Sequence, residues 1–151
     1  MNKNKVKRLA LMRRLLERQV NESSRSYRTI LHTYQAEQVK TSELAKYCTE
    51  YSKYVDNLSN EQVSVTKYQV GLKFLQHVQT LQVKQIDSKA RIKSELDVQK
   101  KAWIELQNRY TTLDNYIKKL EANIRYEADL AEQKQMDTLI NGLYAHKLLR
   151  N

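Results

Sequence analysis

Proline is absent from this 151-residue chain, glycine occurs only as Gly71 and Gly142, and cysteine and tryptophan occur once each, as Cys48 and Trp103. With so few turn-forming residues the chain can reverse direction only rarely, and a tightly turned sheet protein is excluded. A single cysteine rules out an intramolecular disulfide, and with it a secreted disulfide scaffold, which fits a reducing compartment. No stretch reaches the roughly 18 consecutive apolar residues of a membrane-spanning helix. The basic start, Met1 to Arg8, is followed by Arg13, Arg14, Glu17 and Arg18 rather than by an apolar run, so no signal peptide is read. The expectation is a soluble, cytoplasmic protein.

What is present is charge and helix-forming residues. Charged residues make up 29% of the chain, and Gln, Leu, Ala, Asn, Thr and Tyr supply much of the remainder, the composition of long solvated helices with one apolar seam. The net charge of +10 is unevenly distributed. Residues 1–30 hold nine Lys/Arg against Glu17 and Glu22, a net of +7; residues 31–60 hold three against four, a net of −1; residues 61–151 hold fifteen against eleven, a net of +4. A positive field at one end attracts acidic protein surfaces, nucleic acid or anionic lipid, and charge alone does not choose among them.

The apolar residues of the first half follow a seven-residue repeat. Leu9, Leu16, Val20, Tyr27, Ile30, Tyr34, Leu44, Cys48, Tyr51, Val55 and Leu58 fall on its a and d positions, with Arg13, Ser23, Glu37 and Thr41 as polar exceptions. Such a stripe predicts a coiled-coil helix over about residues 3–57. In the second half, Trp103, Leu106, Tyr110, Leu113, Ile117, Leu120 and Ile124 alternate steps of three and four without a break. Tyr68, Leu72, Leu75, Ile86, Ile92 and Leu96 extend this pattern upstream less regularly, and Ala128, Ala131, Met136, Leu139 and Leu143 carry it downstream. A second helix is predicted over about 65–148. The polar cluster Asn57 to Gln62 places a hairpin at about 58–64, with Ser64 or Thr66 as the cap of the second helix. So short a connection makes the helices antiparallel neighbours in one domain, 1–151. The fold class expected is all-α, a long antiparallel two-helix coiled coil. At 1.5 Å per residue the helices would be roughly 80 Å and roughly 125 Å long, leaving about thirty C-terminal residues as an uncovered tail.

No catalytic, cofactor or metal signature is read. His32, His77 and His146 are far apart and lack a ligand at helical spacing, no glycine-rich phosphate loop occurs, and Cys48 sits on a seam position where a small buried hydrophobe belongs. Two helices also offer no concave pocket that excludes water, so the chain is read as a non-enzymatic binding protein.

Two regions carry more than a seam needs. Beside the seam residues Leu44, Cys48, Tyr51 and Val55 lie Tyr47 and Tyr54, and Phe74, Val78 and Leu81 form a second stripe next to Leu72 and Leu75. These residues either widen the local core or form an apolar docking patch. At the other region, Lys3, Lys5, Lys7, Arg8, Arg13, Arg14 and Arg18 form either a solvated face or a salt-sensitive contact for an acidic ring or cleft. A basic helix running into a heptad seam is also the pattern of a dimeric DNA-binding zipper. That alternative leaves the longer second helix without a role, and seam residues Leu9 and Leu16 interrupt its basic stretch. A membrane-surface helix would need a wide Trp/Phe face that this segment lacks.

In size, in its two-helix pattern, in Tyr47-x-x-x-Tyr51, Phe74-x-x-x-Val78-x-x-Leu81, Trp103 and Met136-Asp137, the chain resembles the flagellar export protein FliJ family over essentially its whole length. The resemblance implies a stalk of the flagellar type III export apparatus, similar in fold to the terminal helices of the rotary ATP synthase gamma subunit. It implies that the end carrying both termini enters the central hole of the hexameric flagellar export ATPase. Here that assigns ATPase-ring binding to Lys7, Arg8, Arg13, Arg14 and Arg18. It implies that the hairpin side contacts the cytoplasmic domain of the export gate protein FlhA. Gate-binding positions then fall on Leu44, Tyr47, Tyr51, Phe74, Val78 and Leu81, flanked by Lys40 and Gln85. Export chaperones are a third implied partner, nucleic acid is not one, and any membrane association would be peripheral, through the apparatus. The equivalent stalk of a virulence type III secretion system would share this fold and mechanism.

Overall fold

A strict alternation of three- and four-residue steps keeps one stripe of a helix turned toward a neighbouring helix, and the covered residues of this chain follow that alternation closely. The computed structural model describes residues 2–150, in which the only regular elements are two helices, α1 (Asn2–Asn60) and α2 (Val65–Arg150). The fold is an all-α antiparallel coiled-coil hairpin with the second helix the longer. It divides into two compact units, one spanning Glu22–Ile104 and the other joining the segment up to Asn21 to the segment from Glu105 onward.

In the Glu22–Ile104 unit the helix reversal is shorter than the sequence pattern predicts. Leu58 occupies a seam position at 4% exposure, so its packing carries α1 through one more turn and leaves Glu61–Ser64 as the connection. Glu61 N–H donates to the Leu58 carbonyl (3.4 Å) and Val63 N–H to the Glu61 carbonyl (2.9 Å). Ser64 then caps α2, its hydroxyl accepting from the Lys67 N–H at 3.2 Å, which satisfies one of the donors that every helix start leaves open. Among the described residues no backbone adopts positive φ, so the reversal needs no glycine.

The core of this unit is a single seam. On α1 it contains Tyr27, Ile30, Tyr34, Leu44, Cys48, Tyr51, Val55 and Leu58, all partly or fully covered. The polar exceptions Ser23, Glu37 and Thr41 are covered as well, because they hold the same register. Glu37 accepts a hydrogen bond from Gln85 across the seam and an ion pair from Lys40 at 3.6 Å, and Thr41 donates to the Glu37 carbonyl at 2.7 Å. On α2 the covered positions are Tyr68, Gly71, Leu75, Val78, Gln82, Gln85, Lys89, Ile92, Leu96, Gln99 and Trp103. The irregularity of the apolar pattern there comes from polar residues on a regular seam. Ile86 is off that seam and 52% exposed. Lys89 stays on it by laying its stem along the groove with its ammonium 6.0 Å from the Tyr34 ring centre, joined by Lys93 at 5.6 Å. Tyr27 and Trp103 close the seam as a near-parallel stack, 5.6 Å between ring centres.

In the other unit the covered positions include Leu9, Arg13, Leu16 and Val20 of α1 and Leu106, Tyr110, Leu113, Ile117, Leu120 and Ile124 of α2. Ile117 is fully buried, and full burial of such a side chain stabilises by about 1.5–3 kcal/mol. Beyond Ile124 no seam remains: every residue from 125 to 150 is exposed although the helix continues.

Candidate interaction surfaces

Helical geometry decides which of the flagged residues face outward. In the Glu22–Ile104 unit, Tyr51 is a seam residue that reaches past the seam edge, and three rings gather around it. Tyr47 lies 6.2 Å away and stacked, Tyr54 5.7 Å away and tilted, and Phe74 of the opposite helix 4.8 Å away and edge-on. These are favourable aromatic geometries, worth about 0.5–1.5 kcal/mol per pair beyond area burial. Tyr51 is half-buried, while Tyr47, Tyr54, Phe74 and Leu81 remain 42–48% exposed. The result is an aromatic cluster braced across both helices with its outer faces open to solvent.

Val78 differs from its neighbours. At 3% exposure it belongs to the seam, so it supports the patch from below and offers almost no surface of its own. Leu44 is half-buried, and together with Lys40, Glu43, Tyr47 and Gln85 it lines a shallow groove of about 340 Å³ beside the aromatic cluster.

On the first turns of α1, Lys7, Arg8, Arg14 and Arg18 are exposed, whereas Arg13 is turned inward. Its guanidinium donates to Asp114 Oδ1 at 2.8 Å, and Lys118 Nζ reaches Asp114 Oδ2 at 2.9 Å. The hydrogen bond from Lys118, joined by that from Arg13, outweighs desolvation and holds the Asp114 carboxyl below its ordinary value, while Asp114 raises Lys118 above its own. Arg13 is therefore a structural ion-pair partner. Lys5 is engaged too, donating to the Tyr116 hydroxyl at 3.0 Å.

Between the free basic residues the structure reveals apolar side chains that the sequence reading passed over. Leu11, Met12 and Leu15 are 59%, 56% and 53% exposed. Leu11 and Leu15 are one turn apart, with Lys7 a turn before and Arg18 just beyond. The signal lay in the run Leu9 to Leu16, which holds more apolar residues than one seam can use. The outer face of α1 is thus basic, with exposed apolar side chains set among the cations.

Elsewhere the side chains are chemically quiet. Cys48 is half-buried on the seam, and His32, His77 and His146 are exposed. Among the described residues no cluster of His, Cys, Asp or Glu is arranged to hold a metal ion, and no helix is long and apolar enough to cross a membrane.

The class of protein these features define is a two-helix coiled coil that presents aromatic and basic side chains on its outer faces. The sequence model of the family described as Flagellar FliJ protein matches residues 5–148, and the chain belongs to that family. It is accordingly a component of the flagellar type III export apparatus. Searches of curated proteins and of solved structures gave no match.

Proposed function

We propose that this protein is the non-enzymatic stalk of the export apparatus, binding the centre of the hexameric export ATPase and linking it to the cytoplasmic domain of the export gate protein FlhA. The observation that carries the reading is the outer face of α1, where Lys7, Arg8, Arg14 and Arg18 surround exposed Leu11 and Leu15. A stalk inside a hexamer meets six similar acidic surfaces. Distributed charge tolerates small rotations among them, and the apolar anchors add affinity independent of register. Arg13 contributes by holding α1 against α2 through Asp114. The gate-facing surface is the aromatic cluster, with Tyr47, Tyr51, Phe74 and Leu81 making contact, Leu44 lining the adjoining groove and Val78 packing beneath. The protein works in the cytoplasm, peripheral to the membrane through its partners, and export chaperones are a further class of partner.

The test is the activity and hexamer fraction of the purified export ATPase with and without this chain. Both rise with the wild type. The Arg8→Ala/Arg14→Ala/Arg18→Ala variant loses roughly tenfold in apparent affinity for the ring at low salt and keeps its helicity. Unchanged stimulation by that variant refutes the assigned face. Binding of FlhA to Tyr47→Ala/Phe74→Ala, measured by calorimetry, tests the second surface, and undiminished affinity refutes it.

A further inference from the structure

Among the described residues, those beyond Ile124 are all exposed, yet their side chains follow an order along the helix. Taken at 100° per residue, one side of the helix carries Asp129 and Glu132, then Met136, Leu139, Ile140 and Leu143, then Lys147 and Arg150. Asp129 and Lys147 lie on the same line of the helix, and so do Glu132 and Arg150. All eight are exposed, the four apolar ones by 55–69%. Among the described residues none of the four charged ones is held in an ion pair.

The order along this line is self-complementary. Reflected about the midpoint between Leu139 and Ile140, Met136 maps onto Leu143, Glu132 onto Lys147 and Asp129 onto Arg150. Each apolar residue thus meets an apolar one, and each carboxylate meets a cation. An isologous two-fold contact imposes this relation, in which residue i meets j and j meets i. A parallel pairing would set each charge against its own copy, which is destabilising.

We propose that the C-terminal segment of α2 pairs with the same segment of a second copy, antiparallel, about a two-fold axis at Leu139 and Ile140. The paired stretch from Asp129 to Arg150 is about 32 Å long. A single stripe of that length gives a small interface and a weak, concentration-dependent dimer. The four symmetry-related ion pairs fix its direction, and the central apolar residues supply its affinity.

Analytical ultracentrifugation of the full chain over a concentration series measures this directly. Wild type shifts from monomer toward dimer as concentration rises. Glu132→Lys alone and Lys147→Glu alone each replace two attractive contacts per dimer with repulsive ones and weaken association about tenfold; the combined Glu132→Lys/Lys147→Glu variant restores it. Both positions are exposed, so the fold is unaffected, and circular dichroism verifies this. In a Cys48→Ser background, the Met136→Cys/Leu143→Cys variant cross-links between chains on oxidation. A monomer at every concentration, a dimer insensitive to both single reversals, or failure of the double reversal to restore association each overturns the proposal.

Discussion

Gly71 occupies a seam position where a larger residue would ordinarily sit, and its replacement by alanine gives a sharp test of how closely α1 and α2 approach. A Cβ at this position would lie 3.6 Å from Leu58 Cδ1 and 3.6 Å from Val55 Cγ2, ordinary van der Waals distances. Glycine is therefore not required by close packing, and the helix is weakened for no steric return. Gly71→Ala recovers about 1 kcal/mol of helix propensity and buries a methyl group against Val55 and Leu58, for a total of about 1–2 kcal/mol. In urea unfolding followed by far-UV circular dichroism, the midpoint should rise by roughly 0.5–1 M with an unchanged slope. Gly142→Ala is the control: its Cβ would meet nothing within 4 Å, so it strengthens only the local helix and leaves the cooperative midpoint in place. A fall in midpoint for Gly71→Ala would refute the reasoning, because it would mean that the backbones need the missing side chain to approach.

Ile117→Ala empties a fully buried site and should cost about 2–5 kcal/mol, whereas Val39→Ala at an exposed site should stay within about 0.5 kcal/mol by the same unfolding assay. Ending the chain after Arg125 should remove helical signal without lowering the melting temperature of the remainder, since residues 125–150 contribute no covered side chain; a large drop would show hidden packing. The Asp114 carboxyl titrates below 3.8 when folded, so the stability it contributes is present above 3.8 and is lost as pH falls through the lower folded value. Lys118 titrates above 10.5 when folded, so its share is present below 10.5 and is lost as pH rises through the higher folded value. Lys118→Ala should flatten both limbs of the stability profile, and an unchanged profile would count against the ion-pair assignment.

Much of this architecture is written locally. The heptad from Leu9 to Leu58 and the unbroken run from Trp103 to Ile124 determine two helices, because 3.5-residue periodicity has no other use in so long a stretch. Sparse glycine and absent proline determine that one reversal serves both. The excess aromatic residues at 47, 51, 54 and 74 and the basic first turns could be flagged from spacing and charge alone.

What the sequence could not decide is which of two neighbouring stripes turns inward, because that depends on the facing helix. Val78 reads as a member of the outer stripe with Phe74 and Leu81, yet it is the seam residue, and Gly71, Gln82, Gln85, Lys89 and Gln99 hold seam positions no hydrophobicity pattern would assign. Arg13 belongs to a basic run by sequence and to an ion pair by structure, because only packing brings Asp114, 101 positions away, within 2.8 Å. Periodicity determines what shares a face of a helix; the partner across the seam determines which face is buried, since burial is a property of two surfaces meeting.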